Sequence, residues 1–168
     1  MRWFLTMAAG LAAAALVVGG ASAKQKVHCD VMPFTFDNGI VIDVDFGPTK
    51  ARVEWEAMGS TTVDCPEPLG VLGVDVWEHA YYVVNDSGRV GGRAQIVIDF
   101  TSAGIVPFEG SIRGRTPGDD TIDVIMRATS PGGAKLELEQ TGTFDLDAET
   151  IEDLEVTQGF LFKIEALP

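Results

Sequence analysis

Apolar residues recur at every second position through most of this chain, and that period constrains the fold more than any other feature. Ile40, Ile42, Val44 and Phe46 alternate with Val41, Asp43 and Asp45. Ala51, Val53, Trp55 and Ala57 alternate with Arg52, Glu54 and Glu56. The pattern returns over 95–100, 122–128, 135–139 and 160–166. A period of two sends successive side chains to opposite faces of a sheet, so each run reads as a half-buried strand. Turn residues stand between the runs. Asp37-Asn38-Gly39 predicts a hairpin joining 31–36 to 40–46. Asn85-Asp86-Ser87-Gly88 and Gly91-Gly92 predict a loop between strands 72–84 and 93–100, and 117–120 and 130–133 predict two more turns.

Connections this short join antiparallel strands and not parallel ones. The expectation is therefore an all-β, single-domain antiparallel meander of roughly nine to eleven strands. Residues 147–154 also fit a short helix capped by Asp147, but alternation on both flanks favours a hairpin from 143–147 to 151–157. A sheet this long must hide its edges, as a closed barrel or as a two-sheet sandwich. Uniform short hairpins favour the β-barrel. Pro33 marks the first strand as an edge or a bulge. In architecture alone the meander resembles small ligand-binding barrels such as the lipocalins. Their Gly-x-Trp signature is missing, since neither Trp55 nor Trp77 follows such a Gly.

The first 23 residues stand apart. Met1-Arg2 is a positive start, Phe4 to Val18 is apolar but for Thr6 and Gly10, and Ala21-Ser22-Ala23 offers small residues to a signal peptidase. This is the pattern of a secretory signal peptide cleaved after Ala23. It predicts a leader over 1–23, a single β domain over 24–168, and a periplasmic or secreted location. No later stretch is apolar enough to span a bilayer, so no stable membrane insertion is expected after cleavage. Cleavage removes only one charged residue, Arg2, and leaves a net charge of −14. Nucleic acid and anionic lipid both repel such a chain. In an oxidising compartment Cys29 and Cys65 are expected to pair as a disulfide.

Val74 to Val84 is the most informative stretch for function. Val74, Val76, Glu78, Ala80, Tyr82 and Val84 should share one face, and Asp75, Trp77, His79, Tyr81 and Val83 the other. Both faces are largely apolar and both carry polar groups. An inward first face sets Glu78 and Tyr82 in an apolar lumen, as a ligand pocket requires. An inward second face lines it with Trp77, His79 and Tyr81. These five are the candidate ligand-binding residues, and Glu78 or His79 is the candidate acid or base of a barrel-type enzyme.

Other constellations are thinner. His28 and Asp30 share a face beside Cys29. Asp145-x-Asp147-x-Glu149 begins like an EF-hand loop, but Thr150 replaces its Gly and Val156 its bidentate Glu. The hydrolase elbow, the phosphate-cradling loops and the His-Glu-x-x-His zinc motif are missing, and no motif implies a metal or cofactor. The leading expectation is a non-enzymatic exported barrel binding a small, partly apolar ligand. A cell-envelope accessory protein meeting a protein partner through its surface comes next, ahead of the enzyme.

Overall fold

The computed structural model describes residues 26–46, 50–101, 104–117, 121–145 and 150–164. Among them lie ten strands and no helix: β1 (Val27–Val31), β2 (Phe34–Thr35), β3 (Asn38–Phe46), β4 (Lys50–Asp64), β5 (Val71–Asn85), β6 (Arg89–Phe100), β7 (Gly104–Arg115), β8 (Thr121–Thr129), β9 (Lys135–Asp145) and β10 (Thr150–Ile164). Neighbours from β4 to β10 pair in sequence order, and all pairings are antiparallel. β1 then pairs with both β10 and β4, closing an eight-stranded barrel of β1 and β4–β10. β3 is an additional strand along β4. The barrel, not the sandwich, is the observed fold. β10 begins at Thr150 opposite Asp145, so the segment after 150 returns as a strand and not as a helix; 146–149 lie outside the described residues.

The first hairpin forms differently from the sequence expectation. Residues 31–36 and 40–46 do not pair with each other. β1 pairs with β10 and β4, β2 pairs with β10, and β3 pairs with β4, so Asn38-Gly39 lies inside a strand. Two edges, of β4 and β10, have to be satisfied at once, and that demand outweighs the local turn signal. Phe36 N–H donates to the Leu154 carbonyl at 2.9 Å, and the next residue, Asp37, donates to the Met58 carbonyl at 2.9 Å. The chain thus hands over from β10 to β4 within one step. Met32-Pro33 is the break between β1 and β2, where Pro has no N–H to give a ladder.

The closing seam is short. Asp30 faces Asp64 and Val31 faces Val63. Met32 adds a bond to the Thr62 carbonyl at 3.0 Å, and its own carbonyl accepts from the Thr61 hydroxyl at 2.9 Å. One step further along the same register, Cys29 and Cys65 are joined as a disulfide with their Cα atoms 4.3 Å apart. The covalent link therefore fastens the seam where the ladder runs out.

Gly91-Gly92 belongs to β6 and not to a loop. Gly92 faces Tyr82, and a Cβ there would strike the Tyr81 carbonyl and the Tyr82 Cβ. Gly110 meets Arg127 and Ala128 of β8 in the same way. Missing side chains at inward positions let neighbouring strands approach closely as the sheet curls into a barrel. The lumen is filled by Trp55, Tyr82, Phe100, Phe108, Ile96, Ile112, Met126 and Leu138, all fully buried.

Replacing both cysteines by serine (Cys29→Ser with Cys65→Ser) removes the fastening of a 37-residue loop. The expected loss is about 2–4 kcal/mol in urea unfolding. In hydrogen exchange the Met32 amide should lose protection before the amides of β6–β8. Equal loss of protection across the barrel would contradict the seam's role.

Candidate functional site

β5 resolves its two faces cleanly. Val74, Val76, Glu78, Ala80 and Tyr82 point inward and are buried. Trp77, His79 and Tyr81 lie on the outer face, the first two half-buried and Tyr81 exposed. The five candidate residues therefore form two sites on opposite sides of one strand. Glu78 and His79 cannot converge on one substrate.

Inside, Trp55 of β4 sits opposite Ala80. The small Ala80 leaves room for the indole between the side chains of Glu78 and Tyr82, two positions either way on β5. Trp55 Nε1 donates to Glu78 Oε1 at 3.2 Å, and its ring meets Tyr82 edge-on at 4.9 Å between centroids. Gln140 Nε2 donates to Glu78 Oε2 at 2.6 Å. β9 lies four strands from β5 in either direction round the barrel, so this bond crosses the lumen. Glu78 and Gln140 are fully buried, and Gln140 Oε1 has no hydrogen-bond partner among the described residues. Burial pushes the Glu78 carboxyl from its ordinary 4.5 up to about 7; the bonds from Gln140 and Trp55 pull it down and only partly offset this. Burial, and secondarily the charge of Glu78, also raises the Tyr82 phenol. The cluster can hold a proton near neutrality, but it is sealed from solvent by the side chains around it.

Outside, the register sets Met58, Trp77, Val97 and Pro107 directly opposite one another across β4–β7. Met58 is 57% exposed, Pro107 is exposed, and Trp77 and Val97 are half-buried. The next row is Ser60, Asp75, Asp99 and Ile105, with Ile105 66% exposed. Between these rows lies a groove of about 500 Å³, to whose lining Asp37 also contributes. Asp75 and Asp99 face each other directly, a like-charge pair that costs stability in a sheet. Asp75 takes a 2.7 Å bond from the Ser60 hydroxyl. His79 Nε2 lies 2.7 Å from Glu54 Oε1 one row the other way, and with Tyr81 and Arg93 it borders a shallow depression of about 170 Å³.

The remaining candidates stay apart. His28 and Asp30 approach to 3.6 Å on the exposed outer face of β1, and the His28 ring lies 5.4 Å from that of Phe160. Most of the Asp145–Glu149 stretch lies outside the described residues. Among the described residues no three His, Cys, Asp or Glu side chains gather closely enough to hold a metal ion.

Sequence reasoning missed Trp55 and Gln140 as partners of Glu78. Gln140 continues the inward face of Leu136 and Leu138, and a polar residue on an apolar face was the available signal. It also missed Met58 and Val97, apolar residues on the faces of Glu54, Glu56, Gln95 and Asp99. The fold and its sites define a closed eight-stranded antiparallel barrel with a filled lumen around one buried carboxyl. Comparison with protein-family models, curated proteins and solved structures finds no match for this chain.

Glu78 binds more protons in the folded than in the unfolded chain between about pH 4.5 and 7. Its contribution is complete below pH 4.5 and is lost as pH rises through about 7. The wild type should lose about 3 kcal/mol relative to Glu78→Gln across that window, since one pKa unit is about 1.4 kcal/mol. Urea unfolding of both proteins at a series of pH values measures the difference. A difference that stays constant with pH would mean that Glu78 titrates normally.

Proposed function

We propose that this chain is an exported, non-catalytic binding protein that meets its partner through the outer face of β4–β7. One observation carries the reading. Met58, Trp77, Val97 and Pro107 form an apolar row on the outside of a barrel whose lumen is already filled. An apolar surface that the fold does not need for its own core marks an interaction site. The leader pattern of residues 1–23 supports export, and the Cys29–Cys65 disulfide is compatible with an oxidising compartment.

A second reading rests on Gln140. Its Oε1 is buried without a hydrogen-bond partner among the described residues, which is a reason for a small, partly apolar ligand to be held beside Glu78. Such a ligand would have to displace side chains that now seal the cluster.

Native mass spectrometry on protein recovered from its own secretory route separates the two. The expected result is an added non-covalent mass that Met58→Ser with Trp77→Ser removes and Glu78→Gln retains. Loss with Glu78→Gln alone would move the site into the lumen, and a bare mass throughout would overturn both readings. The denatured mass should fit a chain starting at Lys24 and lighter by two hydrogens than its reduced form.

A further inference from the structure

We infer that the groove beside Trp77 receives an extended segment of another protein that carries a lysine or arginine two residues from an aliphatic side chain. This rests on the outer-face reading and names the chemistry of the partner.

The charge of the groove points to the cation. Three carboxylates line it, Asp37, Asp75 and Asp99, and no Lys or Arg does. Among the described residues no ion pair involves Asp75 or Asp99. The two face each other across β5 and β6, and a positive charge between them removes the repulsion that the bare barrel carries. Among the described residues the three carboxylates do not form a metal-binding group, and the apolar row beside them favours a cation carried on an organic side chain. A second copy of this chain is disfavoured, because two mature chains of charge −14 repel each other. An anionic lipid surface is disfavoured on the same ground.

The spacing points to the pattern. Along a strand, positions two apart lie about 7 Å from one another. That is the offset between the apolar row at Trp77 and the acidic row at Asp75. It is also the offset between residues two apart in an extended partner segment lying along the strands. A cation over Asp75 and Asp99 therefore places an aliphatic side chain over Met58, Trp77 and Val97. Docking is by side chains and not by strand addition. β7 runs past the end of its β8 ladder, which starts at Glu109, and Pro107 in that overhang has no N–H to offer an incoming strand.

The test uses the full mature protein and three capped pentapeptides: Lys-Ser-Leu-Ser-Lys, Ser-Ser-Leu-Ser-Ser and Glu-Ser-Leu-Ser-Glu. Binding is followed by NMR shifts of the Trp77 indole and of the amides of Met58, Asp75 and Val97. The lysine peptide should bind about tenfold tighter than the serine peptide, as one or two exposed charge contacts allow. The glutamate peptide should not bind. The preference should vanish in Asp75→Asn with Asp99→Asn, a variant relieved of repulsion and expected to fold. It should also shrink from about 0.1 to 1 M salt, as the screening length falls from ~10 to ~3 Å. Equal binding of the lysine and serine peptides at the groove would overturn the inference and leave the outer-face reading standing. Shifts that appear only elsewhere, or no shifts with any peptide, would overturn both.

Discussion

Closure of the sheet is the constraint on which the rest of this structure depends. β4 through β10 form a curled meander that would end in two open edges, each a template for association. The first described strands remove both. β1, β2 and β3 act together as one broken strand: β1 bonds to β10 and β4, β2 leans to β10 and β3 to β4. Only a few ladder pairs join β1 to β4, and the disulfide sits next to them in the same register. The covalent bond is therefore placed where backbone hydrogen bonding is thinnest.

Closure in turn fixes what the lumen contains. An eight-stranded barrel is just wide enough to be filled by side chains or to hold one small molecule. Here Trp55, Tyr82, Phe100, Phe108 and Met126 take up the space. The bond from Gln140 to Glu78 crosses it, joining strands on opposite walls. Burying a carboxyl is expensive, and its raised pKa expresses that cost. The brace also penalises misregister. A one-residue slip of β5 would turn Glu78 out and bring Trp77 and His79 in, breaking the bond and overfilling the lumen.

Local patterns made the strands legible, and long-range demands hid the rest. Alternation in 51–57 and 122–128 survives unchanged as β4 and β8, because each strand has one wet and one dry face. Asn38-Gly39 misled because a turn signal reports only its neighbours, whereas these residues serve an edge of β4 brought close by the closure. Gly92 misled because close approach to Tyr82 and freedom in a loop both call for glycine. β5 was ambiguous because both of its faces carry large apolar side chains. Trp77 and Val83 make its outer face as apolar as its inner one, so periodicity had no wet side to detect. Glu78 was visible as a polar residue on an apolar face, but its partners come from β4 and β9, at sequence separations of 23 and 62.

The outer surface is not uniform, and the difference is physical. Toward β7–β9 the exposed charges answer one another: Arg127 meets Glu137 at 2.7 Å and Arg115 meets Asp123 at 3.7 Å. Next to Trp77, His79 meets Glu54 at 2.7 Å. One row beyond, that pattern stops. Apolar side chains stand in solvent, and two aspartates face each other. The core lies on the other side of the sheet, so neither the row of Met58, Trp77, Val97 and Pro107 nor the Asp75–Asp99 pair is part of it. Both are small penalties for the isolated barrel, of the order of a few tenths to 1 kcal/mol for the like-charge pair, and both are relieved by the same kind of occupant. In the proposed docking mode an aliphatic group would cover the row, and a cation two residues along would neutralise the pair.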